Sequence, residues 1–254
     1  MKLNYKQLGE GFPLLILHGL FGSLDNWITL SRQFSSTYSV YMIDARNHGR
    51  SPHDPVSDYP SMVEDLRSFM DDHGIDQAHI IGHSMGGKTA MSFTLNHPEK
   101  VSKLVVADMA MKTYSGHHDE VIRAMQDIPI SEIKNRSEAE DILAVRIPEL
   151  GVRQFLLKNI DRREDGSYAW KINLPVLVNE YPKILMEVKG TNPVQNEVLF
   201  IRGGNSDYLK DKDFESAKLY FPNASLQTIE GAGHWIHAEQ PGPFFTSVSQ
   251  FLQS

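Results

Sequence analysis

Apolar residues fall along this chain in two rhythms. In the first 110 positions, short runs that are apolar at nearly every residue alternate with longer stretches that are apolar every third or fourth. The runs Leu14 to Leu17, Val40 to Ile43, His79 to Ile81 and Leu104 to Ala107 predict strands covered on both faces, since a half-exposed strand would alternate instead. Between them, Asp25 to Phe34 and Pro60 to His73 predict amphipathic helices. The second carries Met62, Leu66, Phe69 and Met70 on one face, with Pro60 in its first turn and Gly74 at its end. Such alternation builds a mostly parallel central sheet flanked by helices, the α/β class.

The texture changes from Lys112 to Gly190. Strand-like runs become scarce, and helices are predicted over His118 to Asp127, Arg136 to Val145 and Val152 to Ile160, with Pro129, Pro148, Pro175 and Pro182 punctuating the stretch. Beta character resumes at Val198 to Ile201 and Ala224 to Ile229, and a last helix runs from Pro241 towards Leu252. A helical segment set between strands of one sheet predicts a cap. The expected division is a core of residues 1–111 and 191–254 with a helical cap, or lid, of residues 112–190 inserted into it.

Composition narrows the chemistry. A net charge of −7 argues against a nucleic-acid partner, because phosphate binding needs a concentrated positive field. With no cysteine, disulfides, a thiolate nucleophile and Cys-ligated metals are excluded. The N-terminal residues lack the apolar core of a signal peptide, and no apolar run is long enough to cross a bilayer. A cytoplasmic protein with no membrane partner is the expectation. Arg162 and Arg163 in the cap are interleaved with acidic residues and read as solvated surface.

The segment Ile80-Ile81-Gly82-His83-Ser84-Met85-Gly86-Gly87-Lys88 is strand, tight turn, then helix. G-x-S-x-G is a weak pattern by itself, and a glycine-rich helix start with no chemistry would also fit it. Its position between a strand and a helix makes Ser84 the candidate nucleophile, because the sharp turn needs small neighbours and aims backbone N–H groups at the site. A second turn, His18-Gly19-Leu20-Phe21-Gly22, follows the strand ending at Leu17. It predicts an oxyanion hole made by the amides of Leu20 (Phe21 being the less favoured donor) and Met85. His18 reads as structural, holding that loop by a hydrogen bond.

The base must come late in the chain, since this arrangement runs serine, acid, histidine. Of the eleven histidines, only His117, His118, His234 and His237 follow both Ser84 and Asp108. His117 and His118 fall where the cap begins, and His237 near the last helix. His234 lies in Gly231-Ala232-Gly233-His234-Trp235, a loop after the last predicted strand, and is the candidate base. For the acid, Asp108 ends the apolar strand Leu104 to Ala107, where burial is costly without a partner such as an imidazolium. Asp207 is the rival, in Gly203-Gly204-Asn205-Ser206-Asp207-Tyr208 after Val198 to Ile201. Asp108 is preferred, with Ser206 hydrogen-bonding within the triad. Phe21, Met85, Met109, Trp235 and Ile236 are the apolar candidates for a substrate wall. Asp44 to Ser51 reads as a folded loop rather than a catalytic one.

Together, His18 to Trp27, Asp44-Ala45-Arg46-Asn47-His48-Gly49-Arg50-Ser51-Pro52, Gly82 to Lys88 and Gly231 to Trp235 resemble the α/β-hydrolase superfamily. The Asn47-His48-Gly49 variant and the Gly-Gly-Lys after the nucleophile resemble the bacterial YbfF-type acyl esterases. The resemblance implies an eight-stranded sheet with the cap after its sixth strand, although the stretch before Leu14 is short for two strands. It implies cleavage of small acyl esters or acyl-CoA-like thioesters, with no cofactor. The departure is Ser206, which stands where that family usually places its acid. A carbon–carbon bond hydrolase or lyase, a perhydrolase side reaction and a receptor retaining the pocket are the competing readings, and fold alone does not choose among them.

Overall fold

Burial on both faces dictates the centre of the fold. In the computed structural model, which describes every residue except His117, the expected strands are β2 (Phe12–Leu17), β3 (Tyr38–Ile43), β4 (Ala78–His83), β5 (Val101–Ala107), β8 (Glu197–Gly203) and β9 (Ala224–Ile229). They lie parallel in the order β3-β2-β4-β5-β8-β9. An additional strand, β1 (Tyr5–Leu8), pairs antiparallel with β3 and forms the edge. The sheet thus has seven strands rather than eight. The cap-like insert therefore follows the fifth strand, not the sixth, because the N-terminal segment supplies one strand before Phe12 instead of two.

Side-chain alternation divides the core into two layers. From β2, Leu15 and Leu17 join Leu66, Phe69, Phe93 and Phe200 on one face, while Leu14 and Ile16 join Trp27, Phe34, Val105 and Phe244 on the other. The first layer is covered by α2 (Tyr59–Asp72) and α3 (Met85–Asn96), the second by α1 (Ile28–Phe34) and the C-terminal α10 (Pro241–Gln253). Asp58 caps α2 by accepting from the Ser61 amide at 2.9 Å, and Gly74 ends the turn after it at φ +62°.

The insert holds more structure than its sequence pattern predicts. Helices α4 (Asp119–Gln126), α5 (Arg136–Ala144) and α6 (Leu150–Leu157) match expectation. The hairpin β6 (Ile160–Arg162) and β7 (Tyr168–Trp170), and helix α7 (Leu174–Leu185), do not. Three-residue strands are too short to show a period. Pro175 and Pro182 read as breakers, yet Pro175 occupies the first turn of α7, where no N–H is needed, and Pro182 lies inside it. Burial of Leu174, Leu177, Tyr181 and Ile184 at helical spacing outweighs the lost bond. These residues form a third apolar cluster with Leu20, Phe21, Tyr59 and Met85 of the sheet unit, so the insert packs over the ends of the strands. Among the described residues, no helix is long and apolar enough to cross a membrane.

Register places the chemistry. Leu17 pairs with Gly82, His83 with Ala107, and Ala107 with Ile201. The residues following these positions therefore emerge side by side at the C-terminal ends of the central strands, next to β2, where the strand order reverses. Close backbone approach there depends on Gly86, whose added Cβ would lie 2.4 Å from the Leu17 carbonyl oxygen and 2.6 Å from that of His18. Neither is a flexible side-chain end. Gly86→Ala is expected to cost about 2 kcal/mol or more in stability, read as a lowered urea midpoint; an unchanged midpoint would show that α3 does not press on β2 there.

Candidate active site

Ser84 sits between β4 and α3 with φ 53° and ψ −117°, a backbone conformation that non-glycine residues seldom adopt. The turn is tight because the Gly82 position admits no side chain; its Cβ would meet the Gly86 carbonyl oxygen at 2.3 Å. Ser84 lines a cleft together with Leu20, Phe21, His234 and Trp235.

Asp108 follows β5, also at positive φ (47°), and is fully buried. Its amide donates to the Ile201 carbonyl at 2.7 Å. The carboxylate accepts from the Gly203 amide at 3.2 Å and from the Ser206 hydroxyl in a short bond to Oδ2. His234 completes the set, with Nδ1 2.8 Å from Oδ2. A carboxylate only accepts, so the imidazole proton lies on Nδ1, and Nε2 is the basic nitrogen of the neutral ring. Burial pushes the Asp108 carboxyl up to about 6, against the lowering effect of the Ser206 and Gly203 hydrogen bonds. Asp207 goes elsewhere: its side chain is 93% exposed and pairs with Lys210 at 3.1 Å.

Two further contacts fix His234, and sequence reasoning missed both. The Tyr208 ring stacks on the imidazole at 3.6 Å between centroids. His83 donates from Nε2 to the His234 carbonyl at 2.9 Å, and burial holds the His83 ring well below the usual histidine range, so it is neutral. The only signal for these roles was nearness in sequence, one residue from Ser84 for His83 and two from Ser206 for Tyr208.

The turn after β2 is braced by the Asp44 to Ser51 loop, which explains that motif. His48 Nδ1 donates to the Arg46 carbonyl at 2.9 Å, leaving Nε2 to accept from the Phe21 amide at 3.2 Å. Burial pushes the His48 ring down to about 3, so it stays an acceptor. Asp44 receives the Leu24 amide at 2.7 Å and the Arg50 amide at 2.9 Å. With the Phe21 N–H engaged by His48, the Leu20 amide is the better donor for a reacting oxygen. His18 binds the Gly19 carbonyl at 2.8 Å through Nδ1 and accepts from Ala45 at 3.0 Å through Nε2.

A second recess also reaches Ser84, and Met85, Met109, Leu185 and Tyr208 line it. Phe21 and Trp235 thus belong to one recess and Met85 and Met109 to the other, while Ile236 is fully buried in the core beneath. His118, set aside by the sequence as a cap residue, borders both recesses. His237 stacks on Trp27 at 4.2 Å, a packing role. His117 lies outside the described residues.

This geometry can be compared with known proteins. A family profile described as alpha/beta hydrolase fold matches residues 13–128. Esterase YbfF of Escherichia coli (strain K12) is 40% identical over 99% of each chain. The chain belongs to the α/β-hydrolase family. The sn-1-specific diacylglycerol lipase ABHD11 of Danio rerio is 39% identical over 96% of this chain and 80% of its own. A solved structure, a marine microorganism esterase, superposes with a TM-score of 0.97 at 46% identity, covering 98% of this chain and 99% of that one.

The buried acid carries a stability consequence. Asp108 titrates near 6 in the folded chain against 3.8 when exposed, so its ionisation opposes folding above pH 6 and ceases to do so below about 4. Asp108→Asn is expected to be more stable than wild type at pH 8 by on the order of 2 kcal/mol, with the advantage shrinking as pH falls through 6. Urea unfolding at pH 8 and pH 4 checks this; an advantage independent of pH would contradict it.

Proposed function

We propose that this hydrolase of the esterase and lipase type cleaves small carboxylic esters through an acyl-enzyme on Ser84. The observation that carries the reading is the 2.8 Å contact from His234 Nδ1 to buried Asp108, on a histidine that shares a cleft with the strained Ser84 turn. His234 takes the Ser84 proton as Oγ attacks the acyl carbonyl, and the Leu20 and Met85 amides receive the oxyanion. The imidazolium then protonates the departing alcohol. Water activated by the same nitrogen attacks the acyl-enzyme, releasing the acid and restoring Ser84. Asp108 orients the ring and balances its charge, and Ser206 holds Asp108.

An ester extends two arms from its carbonyl, and two largely apolar recesses open from Ser84. That match supports an aliphatic substrate, as does the similarity to a protein named as a diacylglycerol lipase. Acyl-CoA-like thioesters would pass through the same acyl-enzyme, with a thiol leaving in place of an alcohol. Residues 112–190 act as a cap, since Val121, Val152, Phe155 and Leu156 supply one side of the first recess and Trp235 of the core faces Phe155 at 5.8 Å.

Hydrolysis of p-nitrophenyl esters across acyl lengths tests the proposal. Ser84→Ala is expected to lose about a thousandfold or more in kcat, and the length profile sizes the recess; retained turnover in Ser84→Ala would overturn it. The acid is tested separately. Asp108→Asn is expected to lose roughly a thousandfold or more in kcat by failing to orient the ring, while Asp207→Asn stays within about twofold of wild type. The reverse pattern would reassign the acid.

A further inference from the structure

The Gly-Gly-Lys that follows the nucleophile ends in a residue the proposed chemistry does not use. Lys88 is 1% exposed, one turn into α3, and its amide donates to the Ser84 carbonyl at 3.0 Å. An ammonium this deep needs partners, and all of its hydrogen-bond acceptors belong to the two places where the chain crosses between sheet unit and insert. Nζ donates to the Lys112 carbonyl at 2.8 Å on the way in, and to those of Leu185 at 3.1 Å and Met186 at 2.5 Å on the way out. The rings of Tyr114 and Tyr59 lie 4.8 and 5.8 Å from it.

The crossings are themselves paired. The Tyr114 amide donates to the Leu185 carbonyl at 2.9 Å, Val188 to Met111 at 2.7 Å, and Glu187 to the Thr113 hydroxyl at 3.1 Å. Lys88 lies beneath this narrow ribbon and joins both of its strands to the helix headed by Ser84. Its stem runs along the recess that Met109, Leu185 and Tyr208 also border.

We propose that Lys88 is a positioning residue that latches both cap crossings to the nucleophile helix, and so holds the recess under the cap in line with the reacting carbonyl. This rests on the esterase reading for its kinetic consequence but not for its structural one. An ester long enough to touch the cap needs the latch, and an acetyl ester needs it far less. Three carbonyls match the three N–H bonds of the ammonium; a neutral amine has two, so deprotonation leaves one carbonyl unserved. Burial pulls Lys88 down to about 7, with the Glu187 carboxylate opposing and the Lys112 ammonium adding to the fall. Lys112 is itself paired with Asp213 at 2.6 Å. Among the described residues, the rings in contact with the Lys88 ammonium are the Tyr59 and Tyr114 phenols, both raised by burial and neutral in this range, while His118, Tyr181 and Tyr208 line the same recess. The latch therefore weakens as pH rises through about 7.

The test is amide hydrogen exchange at Tyr114, Glu187 and Val188 in wild type and Lys88→Met, with β4 amides as reference. Protection at the three crossing amides is expected to drop about tenfold or more in the variant while β4 is little changed; equal protection would overturn the latch. Should the variant fail to fold, wild-type protection factors at pH 6 and pH 8.5 decide, a fall at the crossings alone supporting the latch and constant values overturning it. In kinetics, Lys88→Met is expected to lose about tenfold more kcat/KM on p-nitrophenyl octanoate than on the acetate, chiefly through KM. Equal losses on both esters would overturn the positioning role. If wild type cleaves neither ester, the esterase reading fails, and exchange alone judges the latch.

Discussion

The buried Asp108 carboxylate is the constraint around which the site is assembled. An ionised group with no exposure to solvent survives only if the fold supplies its hydrogen bonds, and here three separate segments do so. The end of β8 contributes the Gly203 amide, the loop after it the Ser206 hydroxyl, and the loop after β9 the His234 imidazole. Those bonds tie the last third of the chain to the C-terminal end of β5. Because His83 and Ala107 are paired in register, the neighbouring strand end carries Ser84. The placement of His234 relative to Ser84 thus follows from the register of the central strands as well as from the Gly231–Gly233 loop.

What could be read from the sequence follows from how local each signal is. Near-continuous apolar runs gave away β2 to β5, and the G-x-S-x-G turn gave away Ser84, because tight turns need specific residues at specific places. Asp108 was legible because a carboxylate ending an apolar strand demands a partner. Ser206 and Asp207, one residue apart, showed how little spacing alone decides: the backbone turns one towards Asp108 and the other into solvent beside Lys210. The β6–β7 hairpin and α7 were hidden because short strands have no period and two prolines mimic a break, while tertiary burial overrode both. Tyr208 over His234 and His48 behind Phe21 join residues 26 and 27 positions apart, and no pattern within one element reports such contacts.

Strain and buried polarity are concentrated around the candidate site. Phe21, Asn47, Ser84 and Asp108 are the described non-glycine residues with positive φ, and all four belong to the site or the loop that braces it. The buried histidines around them serve different ends. His48 and His83 are kept neutral by burial and act as fixed hydrogen-bonding struts, whereas His234 touches a carboxylate and can stabilise a positive charge. One residue type is thus placed in quite different electrostatic surroundings within the same site. Lys88 extends the same logic to the cap, since a charge buried among carbonyls holds two chain crossings in place without a counter-ion in hydrogen-bond contact.

The central claim is that the Ser84 Oγ is the nucleophile, and covalent trapping tests it most directly. The protein is treated with a fluorophosphonate, digested, and the adduct located by mass spectrometry. A single adduct on the peptide containing Ser84, lost when His234 is replaced by alanine, is the predicted result. An adduct on another residue, or full ester turnover with Ser84 unmodified, would contradict the account.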